Sequence, residues 1–324
     1  MQKKRFAILL ALLLVAGCTS PSVSPDTTED VSPSPPPEET LSSPEPTPSL
    51  FLEPSSIPFQ FTEENFPRID GSTANIPLGQ MVYSALLGKS AEEAEAFINF
   101  NGTATAWRYL MYEEADLLLV YEPSEDTTQW FGSEGFRSLE FAPIGRDALV
   151  FLVNIQNKVN GLTTEQIQGI YSDEITNWKE VGGDDAAIAA YQRNTTSGSQ
   201  AMMLKLVMQG LVMAVPPQAV VIGGMGGLVE AVAAYDNAHS AIGYNVYYYV
   251  SQMKNDPNIK LLPVNGVEPD NGSIQSGAYP FVNDFFVAIR TKEPAGSPAR
   301  ILYNWLQSAD GQALVEAAGY VPVG

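Results

Sequence analysis

The stretch Ala148-Leu149-Val150-Phe151-Leu152-Val153-Asn154 is an unbroken apolar run with β-branched and aromatic residues, which is typical of a β-strand. Three other runs have the same character: Ala115–Tyr121, Ala219–Ile222 and Phe285–Arg290. Helix-like stretches, many of them bounded by Gly or Pro, alternate with these runs: Leu78–Leu87, Ala91–Phe97, Thr164–Tyr171, Gln200–Gln209, Leu228–Tyr235 and Pro298–Ala309. This alternation predicts an α/β protein with mostly parallel sheets and helices on both faces.

Length and composition limit the function classes. The chain has 324 residues, and the part from residue 59 onward is long enough for two lobes rather than one sheet. One cysteine and one histidine exclude a disulfide framework and clustered cysteine or histidine metal sites. The formal net charge of −20 argues against binding to nucleic acid or to an anionic membrane surface, because phosphate groups would repel the chain.

The N-terminal residues have the pattern of an export signal. Basic residues at 3–5 precede the apolar run Phe6–Ala16, whose helix would span about 16 Å, far less than a hydrocarbon core of about 30 Å. The segment Leu14-Val15-Ala16-Gly17-Cys18 resembles the lipobox of bacterial lipoproteins, in which the cysteine is lipidated after cleavage. We therefore expect a signal peptide at residues 1–17 and a lipid anchor on Cys18; a free cysteine after an ordinary signal peptide is the alternative.

Residues 18–58 are expected to form a disordered tether. The segment contains 11 of the chain's 24 prolines, together with many Ser, Thr and Glu residues and no Lys or Arg. Such a composition cannot bury enough apolar surface to offset the loss of chain entropy. A tether of this length would hold a folded body at a distance from a membrane.

The first candidate binding motif is Asp70-Gly71-Ser72-Thr73-Ala74, ahead of the helical stretch from Leu78. Small hydroxyl residues beside a helix start supply side-chain oxygens, backbone N–H groups and the positive end of the helix dipole. This combination binds anions. An ordinary capped helix has the same pattern, so the motif alone is a weak signal.

The second candidate is Arg193-Asn194-Thr195-Thr196-Ser197-Gly198-Ser199, which opens the helical stretch from Gln200. Its arginine offers a planar fork to a tetrahedral oxyanion, and its Ser-Gly-Ser turn offers hydroxyls and backbone amides. The glycine lets a ligand approach the backbone closely. A polar loop with a surface arginine is the alternative interpretation. Two such motifs, far apart in an α/β chain, suggest one ligand held between two lobes.

A third candidate is glycine-rich. Gly223-Gly224-Met225-Gly226-Gly227 precedes the helical stretch from Leu228, and a loop of this kind is able to cradle a phosphate. Glycines before a helix more often serve a turn or close packing, and the sequence favours this interpretation.

Further segments resemble one family through their order and spacing. They are Pro143-Ile144-Gly145-Arg146-Asp147-Ala148, Phe151–Asn154, Leu162–Ile167, Ile170-Tyr171-Ser172, Ile175–Gly183, Arg193–Ser199, Ala241-Ile242-Gly243-Tyr244, Gly277–Pro280, Gly311-Gln312 and Gly319–Pro322. Over residues 67–323 the chain is similar to the substrate-binding proteins of phosphate ABC transporters, which have the two-lobed type II periplasmic-binding-protein fold.

The resemblance implies a ligand cleft between two lobes, with residues 59–147 and 283–324 in lobe 1 and residues 148–282 in lobe 2. It implies capture of phosphate or a similar small oxyanion for uptake by an ABC permease and its ATPase. Together with the lipid anchor, it implies a monomer on the outer side of the bacterial cell membrane. No metal and no other cofactor is expected.

The resemblance also implies ligand-binding residues. In this chain, the positions that match the family's phosphate ligands are, in lobe 1, Ser72, Thr73, Ala74 and Thr103 or Thr105, and, in lobe 2, Arg193, Ser197, Gly198 and Ser199. Ser199 stands where threonine is common in the family.

The chain departs from the family at one position. The family carries an aspartate at the end of a lobe-1 strand, where it accepts a hydrogen bond from the proton that phosphate retains. Sulfate has no such proton and is repelled. Here the corresponding strand ends in Val120-Tyr121-Glu122-Pro123. Glu122, one position displaced, or Asp70 is the candidate acceptor, and a related anion or a different small ligand is the alternative to phosphate.

A surface hydrolase or transferase acting on phosphorylated groups is the alternative function. It would need a nucleophile beside a general base or a metal ion. The sequence offers neither a plausible histidine base nor clustered metal ligands, so we expect a binding protein and not an enzyme.

Overall fold

Strands and helices alternate along the chain, which confirms the α/β prediction. The computed structural model describes residues 57–217 and 220–323, all within one compact unit, Leu50–Gly324. Its strands are β1 (Ile69–Gly71), β2 (Leu117–Tyr121), β3 (Leu139–Asn154), β4 (Ala189–Ala190), β5 (Gln192–Arg193), β6 (Val221–Ile222), β7 (Ala241–Val246), β8 (Ile259–Leu262) and β9 (Val282–Arg290). Its α-helices are α1 (Ile76–Leu87), α2 (Ala91–Phe97), α3 (Thr103–Met111), α4 (Glu125–Arg137), α5 (Thr164–Tyr171), α6 (Gly198–Met202), α7 (Met225–Ala233), α8 (Asn271–Ser276), α9 (Pro298–Leu306) and α10 (Ala309–Ala317).

Several predictions about the N-terminal region fall on residues outside this description. The signal peptide, the lipidation site Cys18 and nearly all of the tether of residues 18–58 lie outside the described residues. The same holds for Ala219, the first residue of the predicted strand whose remainder contains β6. Within the described part of the chain, no helix combines the length and the apolar character needed to cross a membrane.

The fold is organised around β3. The first part of this strand, Leu139–Ala148, pairs with β9, and the last part, residues 149–154, pairs with β7 and β8. The strand order is β1-β2-β9-β3-β7-β4, with β8 on β3, while β5 and β6 form a separate pair. We call β1, β2, β9 and the helices packed on them lobe 1, and β4 to β8 with their helices lobe 2. The chain passes between the lobes along β3 and β9.

The strand pairing is mixed, not mostly parallel as predicted. Among the named strands of the described residues, three pairs are parallel: β1 with β2, β4 with β7, and β5 with β6. The pairs of β2 with β9 and of β3 with β7, β8 and β9 are antiparallel. The crossing between the lobes explains part of this difference, because β3 enters lobe 2 and β9 returns beside it to lobe 1.

Helices cover the strands, and the first residues of three of these helices lie in one region. Helix α3 packs on β2, α7 packs on β7, and α9 packs on β9. All residues of β2 and β7 are buried. Strands buried so completely form continuous apolar runs rather than alternating ones. The first residues of α3, α6 and α7 lie at one cavity between the lobes.

Candidate functional site

The cavity between the lobes has a volume of about 230 Å³. Pockets for drug-sized ligands usually measure about 300–1,000 Å³, so this cavity suits a small ligand. The lobe-1 residues that line it are Ser72, Thr73, Asn101, Gly102, Thr103, Ala104, Thr105 and Tyr121. The lobe-2 residues that line it are Arg193, Asn194, Thr196, Ser197, Gly198, Ser199, Gly223, Gly224, Met225 and Val246.

The lobe-1 wall begins where β1 ends. The Ser72 hydroxyl accepts a hydrogen bond from the Tyr121 N–H (3.1 Å) and shares another with the Thr103 hydroxyl (Oγ to Oγ1, 2.8 Å). The two hydroxyls carry two protons, and their mutual hydrogen bond uses one of them. One O–H of this pair is therefore left to donate to a ligand.

The start of α3 completes the lobe-1 wall. Its N-cap, Gly102, has a φ of 84° and provides no side-chain cap, and its N–H donates to the Gly71 carbonyl (3.0 Å). The first N–H groups of a helix have no acceptor within the helix, and partial positive charge collects there. Asn101 fixes this turn, because its N–H and its side-chain amide donate to the Asp70 carboxylate at 2.7 and 3.0 Å.

Arg193 is the charged group of the lobe-2 wall. It is 7% exposed, and its Nε and Nη2 donate to the carbonyls of Ile222 and Gly223, both at 3.0 Å. Its third nitrogen, Nη1, is buried and has no partner. Leaving a buried donor unsatisfied costs about 1–3 kcal/mol, and more for a charged group. An oxyanion in the cavity would remove this penalty.

Neighbouring side chains also hold the backbone of Arg193 in place, and burial affects its pKa. Its N–H donates to the Gln200 side-chain oxygen (3.2 Å) and to the Tyr244 hydroxyl (3.1 Å), which places the residue at the end of β5. Burial lowers the pKa of Arg193. A guanidinium nevertheless stays protonated in proteins, so Arg193 keeps its positive charge.

The Ser-Gly-Ser turn that follows repeats the hydroxyl arrangement of lobe 1. The Ser197 hydroxyl accepts from the Gln200 N–H (3.3 Å) as the N-cap of α6 and shares a hydrogen bond with the Ser199 hydroxyl (2.9 Å). By the same count of protons, this pair also leaves one O–H for a ligand. Each lobe thus presents one hydroxyl donor of this kind.

The glycine-rich loop reaches the cavity as well. Gly223, Gly224 and Met225 line it, and Gly224 is the N-cap of α7 without a side-chain cap. The interpretation of these glycines as turn and packing residues alone therefore missed their position. The starts of α3 and α7, one from each lobe, both lie at the cavity and both have a glycine as N-cap.

The two walls meet at Gly198 and Thr103. A Cβ built on Gly198 would lie 2.8 Å from Thr103 Oγ1, which is too close for a methyl group. Only glycine permits the backbone of one lobe to approach the side chain of the other in this way. The lobes are therefore closed on each other at this point.

Eight of the eleven predicted ligand-binding residues line the cavity: Ser72, Thr73, Thr103, Thr105, Arg193, Ser197, Gly198 and Ser199. Thr103 and Thr105, the two alternatives for the second lobe-1 turn, both line the cavity. Ala74 is not among the lining residues. It is fully buried, and its carbonyl accepts a hydrogen bond from the Tyr320 hydroxyl (2.6 Å).

Neither of the two candidate carboxylates belongs to the lining. Glu122 forms an exposed ion pair with Lys205 of lobe 2. Glu122 directly follows the last residue of β2 and is not among the residues that line the cavity, whereas Tyr121 is. Asp70 is buried and accepts from the N–H of Gly71 (2.7 Å) in addition to its bonds with the Asn101 turn.

Tyr121 and Asp147 form a buried pair to which the sequence assigned no role. The Tyr121 hydroxyl donates to Asp147 (2.6 Å), whose carboxylate also accepts from the N–H groups of Ala148 (2.7 Å) and Tyr248 (3.1 Å). Burial raises the pKa of Asp147 to about 6, although these donors act in the opposite direction. An aspartate next to the apolar run of β3 was the available signal, since buried charges are rare without partners.

Comparison with known proteins places the chain in a family. The model of the PBP superfamily domain matches residues 67–309. The chain belongs to the PBP superfamily. Among its relatives in this superfamily, the phosphate-binding protein PstS of Bacillus subtilis is 28% identical over 172 residues, which are 53% of this chain and 53% of that protein. The match thus spans about half of that relative's length. PstS of Borreliella burgdorferi is 26% identical over 205 residues, 62% of this chain and 71% of the relative.

Solved structures extend the comparison to the fold of the PBP superfamily. A phosphate ABC transporter substrate-binding protein of Clostridium perfringens, solved with bound phosphate, has a TM-score of 0.62 and 25% identity. The alignment covers 80% of this chain and 100% of that one. An ABC-type phosphate transport receptor of Vibrio cholerae has a TM-score of 0.57 at 24% identity, covering 79% and 99%. The resemblance and the two-lobed fold expected from the sequence are confirmed.

Proposed function

We propose that this chain is the substrate-binding protein of an ABC transporter and captures phosphate or a similar small oxyanion between its lobes. The observation that carries the proposal is Arg193 Nη1, which is buried, lacks a partner and belongs to a residue that lines the cavity. A guanidinium fork matches the oxygens of a tetrahedral anion. A ligand that supplies an acceptor to Nη1 is the one that this cavity favours.

The relatives support phosphate as the first ligand to test. The Bacillus and Borreliella proteins are named phosphate-binding proteins, and the Clostridium structure contains phosphate. In this chain, a hydroxyl pair from each lobe, the starts of α3 and α7 and the guanidinium would replace the hydration shell of the anion. These local donors have to act against the formal net charge of −20.

The mechanism is capture by closure. With the lobes apart, water solvates the donors of both walls. An anion that contacts both walls binds the closed state more tightly than the open one and shifts the population toward closure. The closed, loaded protein is then the form that a permease and its ATPase would receive.

The chemistry is binding without turnover. A hydroxyl nucleophile needs a neighbouring general base or a metal ion. The residues that line the cavity in the described part of the chain include no Asp, Glu or His. We expect no product from p-nitrophenyl phosphate incubated with the purified protein and divalent metal ions, and metal-dependent release would contradict this part of the proposal.

The proposal extends to location and domain boundaries. Removal of residues 1–17, lipidation of Cys18 and the tether of residues 18–58 would hold the protein, as a monomer, on the outer side of the membrane. The change of pairing partners along β3 after Ala148 supports lobe boundaries at residues 59–147 with 283–324 and at 148–282. Mass spectrometry of the exported protein tests the acylation, which Cys18→Ser should abolish.

The test of the proposed function is titration calorimetry with inorganic phosphate. The unaltered chain should bind it, and Arg193→Met should weaken binding by about ten- to a hundredfold, since a hydrogen bond to a charged group contributes about 1.5–3 kcal/mol. Arg68→Met is the matched control, because Arg68 is exposed and pairs with Asp116 outside the lining. Failure of the unaltered chain to bind phosphate, or equal affinities of the two variants, would contradict the proposal.

A further inference from the structure

Among the described residues, the cavity lining contains no carboxylate. Three carboxylates are joined to lining residues, and each is engaged elsewhere. Asp70 accepts hydrogen bonds from donors of its own lobe, and Glu122 is paired with a lysine. Asp147 accepts the Tyr121 hydroxyl proton and two backbone N–H groups. An anion in the cavity therefore meets no fixed negative charge in the lining.

The polar groups that line the cavity differ from a carboxylate in what they can do. A serine or threonine hydroxyl rotates and either donates or accepts, whereas an ionised carboxylate only accepts. A ligand oxygen without a proton can take the free O–H of the Ser72 and Thr103 pair. A ligand oxygen with a proton can instead find the lone pairs of a hydroxyl such as that of Thr105. The lining satisfies both kinds of oxygen.

The attractive part of the site responds to charge. Arg193 is the charged side chain of the lining, and its free Nη1 and the uncapped starts of α3 and α7 favour any anion of the right size. Discrimination between two anions of equal charge and similar shape comes from a contact that only one of them can make or from a repulsive element against the other. A carboxylate in the cavity would be such an element against an anion without a proton, and the described lining lacks it.

We propose that the cleft selects tetrahedral oxyanions by size and charge and not by whether they carry a proton. Monohydrogen phosphate and sulfate, both dianions, then bind with dissociation constants within tenfold of each other. The inference rests on the proposed function, that this cavity takes a small oxyanion, and it widens the substrate class from phosphate to tetrahedral dianions.

Calorimetric titration of the purified full chain with phosphate and with sulfate at pH 8 tests the inference. Dissociation constants within tenfold of each other are the expected result. Phosphate binding with sulfate weaker by more than tenfold overturns the inference and leaves the proposed function intact. Binding of neither anion overturns both the inference and the proposed function. Binding of sulfate alone overturns the inference, because the proton on the ligand would then affect binding.

A pair of variants tests the physical reason. Thr105 lies in the first turn of α3, where an acidic residue is compatible with the helix dipole. Thr105→Asp places a carboxylate in the lining, and it should weaken sulfate binding at least tenfold more than phosphate binding. Thr105→Asn has the shape of the aspartate without its charge, and because its side-chain amide also donates and accepts, it should change both affinities by similar factors. Equal losses of both anions in Thr105→Asp would overturn the argument that a missing carboxylate admits sulfate.

Discussion

The two walls of the cavity present the same kinds of donors but differ in charge. Each has a hydroxyl pair and an uncapped helix start, yet only the lobe-2 wall adds a guanidinium, that of Arg193, among the described lining residues. Charge attraction acts over a Debye length of about 8 Å at physiological salt, whereas hydrogen bonds need contact. Under the proposed function, lobe 2 would therefore hold the anion first, and lobe 1 would complete the contacts when the lobes close.

The largest expected effect comes from keeping the walls apart. Gly198→Val would place side-chain atoms where Thr103 lies, so closure around the anion is blocked. We expect phosphate affinity to fall at least about a hundredfold, because only the lobe-2 contacts remain. Gly296→Val is the control, since a Cβ at Gly296 meets no atom within 4 Å. Calorimetry gives the affinities, and a Gly198→Val protein with unchanged affinity would show that the walls need not touch.

The second prediction concerns the pH dependence of folding stability, through Asp147 of β3, the strand that runs from lobe 1 into lobe 2. The folded pKa of Asp147 is about 6, above the ordinary 3.8, so the folded state takes up this proton first as the pH falls. The stabilisation is complete below about pH 4 and is lost as the pH rises through 6, a change of about 2 kcal/mol between pH 4 and pH 7. The free energy of unfolding, measured with urea between pH 4 and pH 7, should fall by this amount in the unaltered chain relative to the Asp147→Asn variant. Parallel pH profiles of the two proteins would contradict the burial of an ionisable carboxyl there.

The hydroxyl pairs allow a matched comparison of the walls. Ser72→Ala and Ser199→Ala each remove one member of a pair, and each should weaken phosphate binding about tenfold. Only Ser72→Ala should also lower the free energy of unfolding, by about 1–3 kcal/mol, because the Tyr121 N–H loses its acceptor. Ser199→Ala leaves the Ser197 cap of α6 in place. Equal stability losses would remove this distinction between the walls.

The smallest effect is expected at the exposed link between the lobes. Glu122→Gln breaks the ion pair with Lys205, and exposed pairs contribute about 0–1 kcal/mol. We expect a change in affinity of less than about fivefold, equal for phosphate and sulfate, by calorimetry. Lys205→Met should behave alike. A tenfold change in the phosphate-to-sulfate ratio in Glu122→Gln would restore the acceptor role that the sequence suggested.

The fold was predictable where the signals are local. Helices α2 and α5 have the predicted bounds, because Ser90 and Thr163 form capping boxes that mark their starts. Helix α3 was missed, because its N-cap is Gly102 and no side chain caps it. Helix α4 was missed too, since Gly132 interrupts it with a φ of 65°. The mixed strand pairing was not predictable, because it depends on β9 returning beside β3 from far along the chain.

The site was predictable to the extent that its motifs are contiguous. The Arg193–Ser199 segment carries a guanidinium, several hydroxyls and a glycine that permits close approach. Every residue of this segment except Thr195 lines the cavity. The roles of Tyr121 and Glu122 depend on which way β2 faces, which neighbouring strands decide. Asp147 acquires its partners only when residues far apart in sequence come together, so no short window of sequence contains its role.

The hydrogen bond from the Tyr320 hydroxyl to the Ala74 carbonyl joins positions 246 residues apart. Tyr320 is itself fixed by stacking on Tyr248, with ring centroids 3.6 Å apart. A ribosome adds Tyr320 long after it has made the turn that this residue braces. An incomplete nascent chain therefore lacks one support of the turn at Ser72–Ala74. The lobe-1 wall of the cavity is therefore complete only after the last residues of the chain have been made and have folded back onto it.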